Sequence, residues 1–279
     1  MTIGKANGLI LVDNLAGEGL IAEHGLSVWI EAGGRRILFD TGQGDALEAN
    51  ARTLGVDLGE TDILVLSHGH YDHTGGVSGV LARAPGAEVF CHPAAVQPRY
   101  SLRGGRPKAV HMPEEDKRAL EGLPAQRLHF VSRPVWLAGH IGLTGFIPRE
   151  TDYEDTGGAF YLDPAGKHVD PIEDDMALWI HTPFGLVVLL GCSHAGLVNT
   201  LNHVKRLSGI STVYAVIGGF HLVHSDENRL RQTINALRLM QPCMIAACHC
   251  TGEPFVHMLR DVFGSRLLSC RSGMRYGFG

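Results

Sequence analysis

The densest group of chemistry-bearing side chains in the sequence is a run of four within six residues, His68-x-His70-x-Asp72-His73. Histidine offers neutral nitrogen and aspartate anionic oxygen, a donor set that suits Zn²⁺ and also Fe or Mn. Because adjacent side chains in a tight loop diverge, such a run can serve two neighbouring ions. The spacing therefore predicts a metal centre, and it follows a short apolar stretch, Asp62 to Leu66, that is typical of a buried strand.

Further histidines stand at the ends of predicted strands in the last third of the chain. In each case glycine lies within three residues of the histidine, so the backbone there can turn sharply or approach other groups closely. These motifs are Gly191-Cys192-Ser193-His194-Ala195-Gly196, Gly218-Gly219-Phe220-His221-Leu222 and Cys248-His249-Cys250-Thr251-Gly252.

Together these motifs resemble the metallo-β-lactamase superfamily. The first run with its flanking Thr74-Gly75-Gly76 looks like the superfamily signature, and Phe39-Asp40-Thr41-Gly42 is similar to the turn that precedes it in many members. The later motifs resemble a subgroup named for an archaeal dihydropteroate-synthase-like enzyme of the tetrahydromethanopterin pathway. The resemblance covers nearly the whole chain except about residues 99–150. It implies an α/β, four-layer αββα sandwich with a dinuclear site at one edge of its two sheets.

The resemblance also implies a ligand set for two divalent ions, with zinc foremost and manganese or iron as alternatives. The first metal would be bound by His68, His70 and His194. The second would be bound by Asp72, His73 and His249. Both assignments are carried over from the superfamily pattern onto the matching positions of this sequence.

The sequence departs from that pattern at one ligand. Many members have a bridging carboxylate in a Gly-Asp dipeptide after a strand of the second half, whereas this chain has Gly191-Cys192. The bridge is then absent, or its role passes to Asp174 or Asp175, or Cys192 serves as a soft ligand.

Other residues have two readings each. His221 is a candidate substrate contact or proton donor, or else a structural histidine. Asp40 is expected to accept a hydrogen bond from a ligand histidine, since metal-bound imidazoles usually donate their other N–H group. Strand alternation predicts that Cys248 and Cys250 both point away from His249 as buried structural thiols.

The elements that must position these residues read as one large α/β domain over residues 1–279. With 44% hydrophobic and 19% charged residues, the chain can bury a sizeable core. Residues 99–149 differ, because they hold nine Lys or Arg and four Asp or Glu in a chain whose net charge is −5. We interpret residues 99–150 as an inserted basic lid or arm that binds an anionic group. The alternatives are a dimerisation arm, which would make the protein a homo-oligomer, and a solvated loop without a role.

Composition excludes several classes of function. No apolar run approaches the roughly 20 residues that span a bilayer, so no membrane partner is expected. The first twelve residues hold too short an apolar stretch for a secretory leader, and the cysteine spacing is not that of a secreted disulfide framework, which favours a cytoplasmic protein. An acidic chain is also a poor general binder of nucleic acid. The expected partner is a small anionic molecule.

The leading functional hypothesis is a metal-dependent hydrolase that uses a metal-activated hydroxide on an ester or phosphoester. Asp72 would orient the nucleophile and His221 would protonate the leaving group. The first alternative, implied by the subgroup, is a synthase that transfers a pterin group and displaces pyrophosphate. The second alternative is a metal- or redox-sensing module that uses Cys192, Cys248 and Cys250.

Overall fold

The structure is a computed structural model, and it describes residues 5–279. The expectation that the chain begins without a secretory leader falls in part on residues 1–4, which lie outside the described residues. No helix within the described part of the chain is both long enough and apolar enough to cross a membrane.

Two large sheets form the centre of the molecule. The first contains the strands β1 (Ala6–Val12), β2 (Ser27–Ala32), β3 (Arg35–Phe39), β4 (Ile63–Val65), β5 (Glu88–Cys91), β8 (Leu128–Phe130) and β16 (Arg275–Gly277), in the order β16-β1-β2-β3-β4-β5-β8. The second contains β9 (Val135–Ala138), β10 (Ile141–Leu143), β12 (Ala177–Thr182), β13 (Gly185–Leu190), β14 (Val213–Gly219) and β15 (Met244–Cys248), in the order β15-β14-β13-β12-β10-β9. The strands β3, β4, β5 and β8 pair in parallel, as do β13, β14 and β15.

Helices cover the outer faces of both sheets. They are α1 (Leu47–Thr53), α2 (Tyr71–Thr74), α3 (Val77–Arg83), α4 (Glu114–Glu121), α5 (Leu197–Ser208), α6 (Glu227–Met240) and α7 (Glu253–Phe263). One apolar cluster lies between the sheets and joins Phe39 to Leu178 and Ile217. Two others lie under the helices, one on each outer face. Every residue of β13 is buried because both faces of that strand are covered.

This arrangement confirms the predicted four-layer αββα sandwich. The apolar run from Asp62 to Leu66 that predicted a buried strand corresponds to β4 within one residue at each end. That strand was recognisable because a strand buried on both faces is a continuous apolar run.

The predicted insertion over residues 99–150 needs a correction. Its part from 128 to 143 forms β8, β9 and β10, which are strands of the two central sheets. These strands are three or four residues long, so they show too few alternations to be recognised in sequence. The earlier part contributes to a separate three-stranded sheet of β6 (Tyr100–Ser101), β7 (Lys108–Ala109) and β11 (Phe160–Tyr161).

Candidate metal centre

The loop after β4 brings the first cluster of histidines into the interior. His68 and His70 lie in this loop, and α2 follows at once with Asp72 and His73; all four side chains are buried. The loop packs so tightly that a Cβ atom on Gly69 would lie 2.0 Å from the carbonyl oxygen of Ala95. Only glycine fits there, so backbone crowding fixes the direction of the histidines on either side.

The first half-site consists of His68, His70 and His194. The Nε2 atom of His68 lies 3.0 Å from Nδ1 of His70. His194, from the loop after β13, places its ring centroid 4.9 Å from the centroids of both other rings. The structure therefore brings together the three residues that the resemblance assigns to the first metal.

The second half-site consists of Asp72, His73 and His249. The Nε2 atoms of His73 and His249 lie 3.2 Å apart. The Oδ2 atom of Asp72 lies 3.4 Å from Nε2 of His249 and 4.0 Å from Nε2 of His73. His249 follows β15 and is buried, so a side chain 176 positions from His73 completes this group.

Four of the five ligand candidates with imidazole rings have their Nδ1 atoms fixed by a neighbour. The pairs are His73 with Asp40 Oδ2 at 2.7 Å, His68 with Ser67 Oγ at 2.9 Å, His194 with the Thr156 carbonyl at 2.7 Å and His249 with Asn14 Oδ1 at 2.8 Å. Nδ1–H donates in such pairs, which leaves the Nε2 lone pair free to face the centre. The predicted hydrogen bond of Asp40 to a ligand histidine is confirmed.

Electrostatics keep the first half-site neutral. Burial holds the pKa values of His68 and His194 well below the usual range. Burial, helped by the Arg99 guanidinium, lowers the pKa of His70 to about 3. At His73 the Asp40 carboxylate outweighs the effect of burial and raises the pKa to about 9. The first half-site therefore presents neutral imidazoles, the form that binds metals, and the second favours positive charge.

These donors fit divalent cations. Two nitrogen ligands about 2.0–2.1 Å from one ion at the tetrahedral angle lie about 3.3–3.4 Å apart, close to the nitrogen–nitrogen separations of 3.0 and 3.2 Å seen here. The Nε2 atom of His194 is buried and has no hydrogen-bond partner within residues 5–279. A buried polar atom without a partner costs free energy, and a cation at the first half-site would supply that partner.

The structure narrows the alternatives for the missing bridging carboxylate. Asp174 accepts two hydrogen bonds from Arg99 and one of 2.7 Å from the Gly69 N–H group. Asp175 accepts a bond of 2.7 Å from the Ala195 N–H group. Both carboxylates are thus committed to holding ligand loops in place, the first near His68 and the second near His194. Of the three candidate side chains Cys192 is the one near a half-site histidine, with its Sγ atom 3.2 Å from Nε2 of His73, and an absent bridge stays the other alternative.

His221 lies beside the first half-site. Its backbone is left-handed, with φ of 46°, and its ring centroid lies 4.3 Å from that of His194. The Nδ1 atom is buried and unpartnered among the described residues. This half-buried ring faces the same cavity as the metal ligand candidates.

Cys248 and Cys250 are both buried as expected, but the expected direction of Cys250 was wrong. Strand β15 ends at Cys248, and the chain then turns through His249, whose φ is 52°. Strand alternation no longer applies beyond that turn, so Cys250 points into the centre. Its thiol donates to the Cys192 carbonyl over 3.7 Å and groups with Cys192 and His221.

Sequence reasoning missed His24, Asn14 and Phe160. The Nε2 atom of His24 lies 3.2 Å from Oδ2 of Asp72, and this hydrogen bond raises the pKa of His24. Phe160, on β11, has its ring centroid 5.0 Å from that of His70. The signal in the sequence for His24 was the glycine that follows it. In the structure a Cβ atom on Gly25 would lie 2.6 Å from the carbonyl oxygen of Asp72, so only glycine fits beside the ligand helix.

A cavity of about 390 Å³ opens over the two half-sites, a size that suits a small molecule. Its floor includes Asp72, His194 and His249, and its rim includes three basic residues, Arg103, Lys108 and His224. The Lys108 ammonium donates to the Tyr71 hydroxyl over 3.1 Å. No ion pair of Arg103 or Lys108 with a carboxylate is found within residues 5–279.

Two face-to-face sheets with histidine- and aspartate-bearing loops at one edge define a metallo-β-lactamase-type fold. The sequence pattern of the metallo-beta-lactamase superfamily matches residues 20–241, and the chain belongs to this superfamily.

Individual relatives are similar over nearly the full length. The 7,8-dihydropterin-6-methyl-4-(beta-D-ribofuranosyl)-aminobenzene-5'-phosphate synthase of Methanocaldococcus jannaschii is 33% identical over 94% of both chains. An uncharacterised protein of the same organism is 36% identical over 87% of this chain and 90% of its own length. The crystal structure of Tm1679, described as a metal-dependent hydrolase of the β-lactamase superfamily, superposes with a TM-score of 0.82 at 28% identity and covers 97% of this chain and 98% of that one.

Proposed function

We propose that this chain is a metal-dependent enzyme that joins a pterin group, activated as a diphosphate ester, to an aromatic amine that carries a phosphate. The observation that carries this proposal is the similarity to the M. jannaschii synthase, 33% identity over 94% of both chains. In the reaction a C–N bond forms between the pterin methylene carbon and the amine nitrogen. The C–O bond to the diphosphate breaks, and the amine loses one proton.

The cavity has the chemistry for such substrates. Arg103 and Lys108 at the rim can bind phosphate oxygens, because neither is neutralised by a carboxylate among the described residues. Phe160 offers a flat apolar face against which an aromatic ring can pack. We place the phosphate of the amine substrate at the rim and the diphosphate of the pterin substrate over the half-sites.

The two half-sites would hold the ions as the resemblance implies, with His68, His70 and His194 on one and Asp72, His73 and His249 on the other. When bound, two divalent ions would supply the positive charge that stabilises a departing diphosphate. The protein's own groups do the remaining work. His221 faces the cavity and takes up the amine proton, and the cover of β6, β7 and β11 limits the access of water.

A hydrolase is the second candidate, favoured by the similarity to Tm1679 over 97% of this chain. The same centre would then act on an ester or phosphoester with water as the co-substrate. Asp72 would orient the attacking oxygen, and His221 would protonate the leaving group.

One experiment separates the two candidates. Metal-loaded protein is incubated with a dihydropterin methyl diphosphate, with and without 4-(β-D-ribofuranosyl)aminobenzene 5'-phosphate, and pyrophosphate, phosphate and the coupled product are measured. We expect pyrophosphate release that depends on the amine and equals the coupled product. Release without the amine would favour the hydrolase. If the metal-loaded protein releases no pyrophosphate and also turns over none of a wider panel of esters and phosphoesters, both enzymatic proposals fail. That result would support the alternative of a metal- or redox-sensing module.

A further inference from the structure

The donor groups of the two half-sites share one atom. The Sγ atom of Cys192 lies within 4.8 Å of the donor nitrogens of His68 and His194. The same sulfur lies within 4.8 Å of the donor nitrogens of His73 and His249. A side chain that reaches both groups occupies the place of a ligand common to two ions.

We propose that the Cys192 thiolate bridges the two metal ions and takes the structural place of the missing carboxylate. The geometry points to a bridge because Sγ lies between the half-sites, 3.2 Å from His73 Nε2 on one side. Neither Asp174 nor Asp175 belongs, among the described residues, to a group of donor atoms with the half-site histidines, and both accept hydrogen bonds from backbone N–H groups of the ligand loops. The inference concerns the metal centre alone and holds for either proposed reaction.

The surroundings of Cys192 are shaped to hold the sulfur in this position. A Cβ atom on the preceding Gly191 would lie 2.0 Å from Ser67 Oγ, so the chain passes directly against the first ligand loop. Cys192 itself is buried, with 3% of its surface exposed. Because coordination requires the thiolate, metal binding at this residue releases the thiol proton. A sulfur ligand also shifts the preference of the centre towards softer or borderline ions such as zinc and iron and away from magnesium.

Cys250 provides a matched comparison. Its thiol is also buried and donates to the Cys192 carbonyl. Its sulfur lies within 4.8 Å of Cys192 Sγ and of a ring nitrogen of His221, but among the described residues it forms no such donor group with a histidine of either half-site. Cys248 provides a second one, because it groups with Cys270 and Asp13 away from the histidines. A sulfur signal from Cys248 would place the metal away from the half-sites, and one from Cys250 would place it on the side of Cys192 that faces His221.

The test is the absorption spectrum of the cobalt(II)-loaded protein, in which a thiolate ligand produces a sulfur-to-metal charge-transfer band in the near ultraviolet. We expect the band in the unmodified protein and in Cys250→Ser and Cys248→Ser, and its loss in Cys192→Ser. No band in the unmodified protein, a band that survives Cys192→Ser, or one lost in Cys248→Ser would overturn the proposal.

X-ray absorption on the zinc form distinguishes a bridge from a terminal ligand. A shared sulfur gives one sulfur neighbour per zinc ion, whereas a terminal thiolate gives one for every two ions and would overturn the bridge. Cys192→Asp guards against a folding defect in Cys192→Ser, because its carboxylate restores the pattern common in the superfamily. We expect the Cys192→Asp variant to retain both zinc ions without any sulfur neighbour. A sulfur neighbour in this variant would contradict the assignment of Cys192 as the bridging ligand.

Discussion

The two halves of the molecule build their share of the centre in different ways. The first sheet supplies four ligand candidates from one loop and the short helix after it, His68 to His73. The second sheet supplies one or two residues at the end of each of three parallel strands: Cys192 and His194 after β13, His221 after β14 and His249 after β15. The first half therefore relies on local spacing, and the second relies on strand order, since the carboxyl ends of parallel neighbours meet at one edge.

Backbone conformation shows the same contrast. Each of the three strand-end loops in the second half contains a left-handed residue that is not glycine, namely Ser193, His221 and His249, with φ between 46° and 58°. In the ligand loop after β4 no such residue occurs within the part of the chain that the structure describes. Such conformations cost on the order of 1–3 kcal/mol each. The second half thus uses strained turns to aim its ligand candidates directly. In the first half close packing around Gly69 directs the ligand loop, and a strained turn places Asp40 (φ 60°), the hydrogen-bond partner of His73.

The largest expected effect comes from the loop of the first half. His70→Ala or Asp72→Ala should reduce turnover by at least about 10³-fold, because the charge stabilisation that metals provide is worth several kcal/mol and each 1.36 kcal/mol is tenfold. Activity is measured with the metal-replete variants, and thermal unfolding serves as the control, since neither side chain belongs to the core between the sheets. Full activity of metal-replete Asp72→Ala would contradict the assigned role.

The second prediction tests the ion pair through which the second half holds the first ligand loop. Asp174→Ala should lower the free energy of unfolding by about 3 kcal/mol, because it leaves the buried Arg99 charge with Asp170 alone as carboxylate partner among the described residues and the Gly69 N–H group without its acceptor. The measurement is urea unfolding of the apoprotein. Glu150→Ala, which breaks an exposed pair with Arg206, is the control and should change stability by less than about 1 kcal/mol. Equal effects would show that Asp174 does not hold the loop.

The third prediction concerns pH and the loop of His194. Burial raises the pKa of Asp175 to about 7. Because the folded state binds this proton more tightly than the unfolded state, its contribution is fully present below the ordinary pKa near 4 and is lost as pH rises towards 7. Asp175→Asn should remove this dependence, and the difference in unfolding free energy between the two proteins should vary by a few kcal/mol over that range. A difference independent of pH would show that Asp175 does not titrate there.

The smallest expected effect lies at the rim of the cavity. Lys108→Ala should raise KM about tenfold and change kcat little, since a hydrogen bond to a charged group is worth about 1.5–3 kcal/mol. Steady-state kinetics with the phosphate-bearing substrate measure this. Lys117→Ala is the matched control: it removes the same charge from the predicted basic segment, but Lys117 lies on α4 outside the cavity lining. A similar rise of KM in both variants would indicate only a general electrostatic effect.

The contrast between the halves also explains what could be predicted from sequence. The cluster of the first half was evident from spacing alone, and the buried strands from their apolar runs. His24 had only the neighbouring Gly25 as a signal, and Phe160 lies on a strand of two residues, too short to be recognised in sequence. The inward direction of Cys250 depends on the turn at His249, which the residue pattern does not encode. The strands within residues 128–143 were not predicted, because a strand of three or four residues shows too little periodicity to be recognised. That His68, His70, Asp72, His73, His194 and His249 bind metal stays a prediction, although the structure gathers all six.

The most direct test of the central claim, that both halves together hold two ions, is elemental analysis of protein purified without added metal, repeated on His194→Ala. We predict about two ions per chain, falling to about one in the variant, because His194 is the ligand that the second half gives to the first half-site. One ion in the unmodified protein, or no change in His194→Ala, would contradict the account.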